Sequence, residues 1–281
     1  MLQAINTWSD YRAKVREFEA VLEYGKAMAA VLAGLTAPSP HTAYGQQIFV
    51  KLLSHCNALR TLAGDTSQRA QAELWDVPSM TAVARSAVEA HDAFEYIAGH
   101  DVTPSERSFR VQLWELHDTT RRLRIYSDLG PTDPRIAKLR ADAAELQAAL
   151  ESHEFLASLH ADLQAVLRQR LAKGDPPAFH LNQRQRCELS GVQVDWHNAI
   201  TMQLSQYAHT LPSTAQQLAY LPPGSPDALR LMAMPLVHAL PFLARVIQAM
   251  DRLMQGRAPE PPSRTARTMA LWRAMAEGGA A

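Results

Sequence analysis

The sequence predicts an all-α protein, an irregular multi-helix bundle of about nine or ten helices. Alanine, leucine, glutamine and arginine dominate the chain, and all of them suit helices. No stretch sustains apolar alternation with β-branched enrichment, the pattern a half-buried strand needs. Glycines and prolines fall at helix-length intervals, where they act as stops and starts.

The first helix is read from Thr7 to Leu35, with Trp8, Val15, Phe18, Leu22 and Leu32 at helical spacing and Gly34 plus TAPSP at its end. A second runs from Thr42 to Leu62 and is closed by Gly64. Asp76 followed by Pro78 opens a third, which Gly99 stops. The fourth has the clearest start: Thr103-Pro104-Ser105-Glu106 combines a capping box with proline in the first turn, and the helix ends at Gly130. Asp133-Pro134 starts a long helical stretch that reaches Lys173 and Gly174, with a break near Ser152. A DPPAF loop precedes a short helix at Gln183–Leu189, and another helix follows from Asp195 to about Thr210. Ser225-Pro226 opens a long apolar helix in which Pro235 and Pro241 predict kinks. Arg257–Ser263, RAPEPPS, reads as a linker before a short terminal helix. No period repeats. The organisation is therefore one helical domain over 1–256, a proline-rich linker at 257–263, and a short helix with a flexible tail at 264–281.

Composition narrows the function. The chain is 47% hydrophobic, enough for a sizeable core. Its 28 basic residues match 28 acidic ones, which excludes a globally basic nucleic-acid binder. Cys56 and Cys187 lie far apart, with no zinc-type spacing, and read as free buried thiols in a reducing compartment. The N-terminus shows no signal-peptide pattern. Leu231–Met250 is the most membrane-like segment, but His238, Arg245, Gln248 and two prolines make it a core helix instead. The expected location is the cytoplasm, with no membrane partner and no DNA-specific motif.

Motifs for cofactor and metal chemistry are missing: no GxGxxG, Walker loop, HExxH, ExxH pair or GxSxG occurs. His153 and His160, seven apart with Glu154 nearby, make a weak metal pair. The expectation is no cofactor and no metal.

Three polar stripes carry what chemistry there is. In the third helix Met80, Val83, Ala87, Phe94 and Ala98 form an apolar stripe, and Arg85, Glu89, Asp92 and Tyr96 lie opposite. Ala82, Ser86 and Ala93 on that polar side are small enough to let another helix approach, which would bury an Arg85–Glu89 pair. In the fourth helix Phe109, Leu113, Leu116 and Leu123 face the core, flanked by Arg110, Trp114, His117, Arg121 and Arg124, a set able to hold an anion or stack a base. In the helix from Asp195, Trp196, Ile200, Tyr207 and Leu211 face the core, and Asn198, Met202, Ser205 and His209 lie opposite. Ser205 and His209 are one turn apart, close enough to hydrogen-bond, but no acid accompanies them.

These stripes carry a resemblance. Ala84-Arg85-Ser86 with Glu89, Phe109-Arg110 through Leu113-Trp114 to Leu116-His117, and Leu204-Ser205 with Tyr207 and His209-Thr210-Leu211-Pro212 resemble the ARSxxE, FRxxLWxLH and LSxYxHTLP segments of a group of bacterial all-helical proteins of unknown function. The resemblance covers about Gln46–Leu218. It implies that Arg85, Glu89, Arg110, His117, Ser205 and His209 converge on one ligand-binding polar site. The group is also similar in helical architecture to HEPN-type proteins, many of them dimeric RNA-cleaving or nucleotide-binding modules in defence and toxin systems, which use an Arg-x4–6-His motif. Arg85…His91 and Arg110…His117 fit that spacing. Chance alone supplies about 2.7 such pairs in this composition, so the spacing carries no weight.

Two functions follow. The first is a binding or scaffold protein with a polar pocket between helices, which associates with a second copy of itself. The alternative is a metal-free HEPN-like ribonuclease, with Arg110 on the phosphate and His117 and His209 as proton carriers. The corresponding partners are a second copy of the chain and either RNA or a small anionic ligand.

Overall fold

The computed structural model describes residues 2–64, 76–130, 132–209, 211–222 and 224–278. Thr210 of the HTLP segment and residues 279–281 of the predicted tail lie outside them. The fold is all-α: twelve α-helices and no strand among the described residues. They are α1 Trp8–Leu32, α2 Pro40–Leu62, α3 Val77–Phe94, α4 Pro104–Leu129, α5 Arg135–Glu151, α6 Glu154–Ser158, α7 Ala161–Ala172, α8 Gln183–Ser190, α9 Val194–Ala208, α10 Pro212–Tyr220, α11 Pro226–Leu253 and α12 Ser263–Ala276.

Local chemistry sets the ends. The Thr7 and Asp10 side chains cap α1 reciprocally, and Asn182 and Gln185 do the same for α8. Thr103 accepts the Glu106 N–H at the start of α4, with Pro104 in the first turn. Gly191 ends α8 at φ 69°, the left-handed conformation that favours glycine. The stretch from Asp133 breaks twice rather than once. His153 accepts the Phe155 N–H and starts α6, and α7 begins again after His160. Both histidines therefore sit at helix starts, where His153 packs on Phe109 and His160 is exposed.

Helix α11 is the core of the molecule. It passes through Pro235 and Pro241 without interruption and packs on α1, α2, α3 and α12. By length and composition it could cross a membrane, but 78% of its most apolar window is buried inside the protein. Its methionines Met232, Met234 and Met250, with Met254 just beyond its end, lie in that core. Gly25 and Gly45 let helices meet closely: a Cβ on Gly45 would lie 2.9 Å from Leu253 Cδ2 and 3.0 Å from Ala98 Cβ.

The C-terminal helix α12 packs on this core through α11 and α1. Trp272 is fully buried, its Nε1–H donates to Glu17 Oε1 (2.6 Å), and Lys14 lies over its ring. The linker is fixed too, because Tyr24 donates its hydroxyl to the Pro259 carbonyl (2.9 Å). A second, smaller core joins α4 to α5, α6 and α7 through Phe109, Leu113, Leu116, Leu150, Leu156, Leu167 and Leu171.

Between α3 and α4 the backbone makes a π-helical turn, Glu95–Gly99. Such a turn inserts a residue into the helical ladder and re-aims the side chains after it. Here it swings Tyr96 into the core, away from the face it would share with Arg85 and Glu89 in an unbroken helix.

Candidate functional site

The six predicted residues fall into three places rather than one. Arg85, Glu89 and Ser205 meet where α3 packs on α9. The Arg85 guanidinium pairs with Glu89 (2.9 Å) and donates from Nε to Ser205 Oγ (3.3 Å). The close approach expected from small residues on α3 is therefore realised, but Glu89 stays 64% exposed, so the ion pair is at the surface. His209 caps the end of α9 and is exposed; its backbone N–H bonds Ser205 O, and no side-chain bond joins the two residues. A serine–histidine couple is not formed.

Arg110 occupies the second place, and it is fully buried. Its Nε donates to Glu106 Oε1 (2.9 Å), and Nη1 reaches both the Tyr96 carbonyl (3.0 Å) and His100 Nδ1 (2.8 Å). The guanidinium also lies over the Tyr96 ring at 4.7 Å. The imidazoles around it are held neutral. Burial, then the charge of Arg110, pushes His100 and His180 down to about 3. That fixes the donors: His100 Nδ1 accepts from Arg110, so Nε2–H donates to Ser190 Oγ (2.9 Å), and Ser190 donates to the Arg186 carbonyl (2.9 Å). His180 is bound twice by Tyr96, whose hydroxyl donates to Nδ1 (2.8 Å) and accepts the His180 backbone N–H (3.3 Å). Burial raises the Tyr96 hydroxyl well above its ordinary value, so it stays protonated.

A companion cluster adjoins this centre. Asp92 Oδ1 accepts from His197 Nε2 (3.0 Å) and His91 Nδ1 (3.1 Å). Burial alone would raise the Asp92 carboxyl, but the bonds from His197 and His91 and their charge hold it well below the usual range. Burial pushes the neighbouring Cys187 thiol up, so it is no activated nucleophile. Among the described residues no group of histidine, cysteine and carboxylate ligands can hold a metal ion.

The third place is open. Trp114, His117 and Arg121 of the α4 stripe line a groove of about 1010 Å³ between α4 and α5, with Tyr44 of α2 at its edge. Tyr44 donates to Glu115 (2.7 Å) and meets Trp114 edge-on at 5.2 Å. Asp118 pairs with Arg122 and Asp142 with Lys138 across one turn each. Arg121 forms no ion pair among the described residues and is exposed. His117 bonds through Nδ1 to the Pro176 carbonyl (2.8 Å), leaving Nε2 as its remaining polar atom.

One part of the buried centre had a readable signal: Glu106 four residues before Arg110 is the favourable order for a helical ion pair. His100, His180 and His197 had none, since the loop and the π-turn that deliver the first two show no pattern in one sequence.

No family model, no curated protein and no solved structure matches the chain.

Proposed function

We propose that the protein is a soluble, non-catalytic helical binding protein whose α4/α5 groove takes a small anionic ligand carrying a flat ring. The carrying observation is that Trp114, His117 and Arg121 share one open groove, in which Arg121 is a cation with no carboxylate partner among the described residues. A guanidinium in that setting suits an anionic group, and a half-buried indole offers a stacking surface. The mixed charge of the walls, with Glu115, Asp118, Asp142 and Glu145 among the lining residues, favours a small ligand over a long polyanion.

The ribonuclease alternative needs Arg110 on a phosphate. The donors of Arg110 are committed to Glu106, Tyr96 and His100 inside the protein, which favours the binding reading. Calorimetric titration with a nucleoside monophosphate, and with the uncharged nucleoside as control, tests the proposal. Saturable binding of the charged probe, weakened about tenfold or more by Arg121→Ala, is expected. Binding that ignores Arg121→Ala, or none at millimolar probe, sinks the assignment. RNA cleavage in EDTA that disappears with His117→Ala would transfer the groove to the ribonuclease reading.

A further inference from the structure

The two buried clusters meet at a small internal chamber of about 10 Å³, lined by His91, Asp92, Glu95, Arg186, Ser190 and His197 among others. Three groups there are buried, and two of them carry an unbonded nitrogen. His91 is 1% exposed, and its Nε2 has no hydrogen-bond partner. Arg186 Nε is likewise buried and unbonded. The Glu95 carboxylate is 5% exposed and stands 4.0 Å from His91 Nε2, too far for a direct bond.

Their spacing makes these groups one problem. His91 bonds Asp92 through Nδ1, and its Nε2 stays unbonded. Glu95 stands too far away to bond it directly. A molecule is needed that can bond His91 Nε2, the Glu95 carboxylate and the Arg186 Nε–H at once. Water does this with the three bonds typical of a buried site, and the chamber has room for one. Two legs of about 2.8 Å span a gap of 4.0 Å.

The backbone is shaped for this arrangement. Glu95 opens the π-turn, and its carboxylate folds against Gly99, where a Cβ would lie 2.4 Å from Oε2. Only a residue without a side chain leaves space for the carboxylate to turn inward.

We propose that the chamber binds one water molecule, which joins the Glu106–Arg110–His100–Ser190–Arg186 chain to the His91–Asp92–His197 chain as a single buried network. The joined path ties α3, α4, α8 and α9 together. It turns two local clusters into one cooperative unit.

A high-resolution crystal structure of the full, unmodified chain tests the site directly. The expected result is one oxygen-sized density peak within about 2.7–3.2 Å of His91 Nε2, the Glu95 carboxylate and Arg186 Nε. A well-ordered but empty chamber, a direct His91–Glu95 bond, or an anomalous scatterer at metal distances would each overturn the proposal. Independently, a double-mutant cycle between Ser190→Ala and His197→Asn should show coupling of about twofold or more in the folding equilibrium constant. Additive effects would refute the joined network.

Discussion

Replacing Arg110 by methionine separates a structural arginine from a ligand-binding one. The substitution keeps an unbranched stem that can fill the site and removes the guanidinium. It strands the Glu106 carboxylate, the Tyr96 carbonyl and His100 Nδ1, which accept from Arg110 at 2.9, 3.0 and 2.8 Å. Removing one partner of a buried pair leaves a poorly compensated charge and costs about 3–5 kcal/mol. That is a large share of the roughly 5–15 kcal/mol that holds a typical protein folded. Urea unfolding of the full chain, followed by far-ultraviolet circular dichroism, should show the midpoint fall at unchanged slope. The double variant Glu106→Met/Arg110→Met should recover part of the loss, because it deletes both charges together. A single-variant loss under about 1 kcal/mol would refute the reasoning, since the guanidinium would then not be structurally committed.

Acid should weaken the fold. His100 and His180 take up protons near 6.5 when unfolded but only near 3 when folded, so below neutrality the unfolded chain binds more protons and stability falls at up to about 1.4 kcal/mol per pH unit for each ring; denaturation midpoints level from about pH 7 to about pH 5 would contradict this. Trp272→Ala should cost about 3–5 kcal/mol, measured by thermal unfolding, because the indole is fully buried and bonded to Glu17; an unshifted transition would return α12 to the status of an appendage. Gly45→Val, scored by chemical denaturation, should lose about 1–3 kcal/mol by overpacking against Leu253 and Ala98.

Element positions were legible wherever the signal was local. Thr103-Pro104 announces α4 through its own cap. Helix α10 is hard to read although Pro212 stands in its first turn, because Leu211 ahead of it supplies no side-chain cap. The docking of α12 was illegible for a different reason. RAPEPPS has linker composition, and only the Tyr24 hydroxyl, more than two hundred residues away, reveals that Pro259 is held. The site divides in the same way. Small residues on α3 correctly implied a close helix and brought Arg85 to Ser205. The burial of Arg110 depends on Tyr96 and His100, which a π-turn delivers without any sequence signature.

The most polar part of this molecule is therefore its least suitable site for proton-transfer chemistry. A general acid or base works best with a pKa near the working pH, and His100 and His180 are held at about 3. They are fixed hydrogen-bonding groups, each with its proton on a defined nitrogen. No comparable lock holds the α4 stripe beyond Arg110. Four residues past Arg110, Trp114 is half-buried; seven past it, His117 keeps one bond; eleven past it, Arg121 is free in solvent. One helix thus grades from a buried structural cation at its N-terminal end to an open wall at its middle. The FRxxLWxLH segment spans both: its arginine is held inside the fold, and its tryptophan and histidine line the open groove.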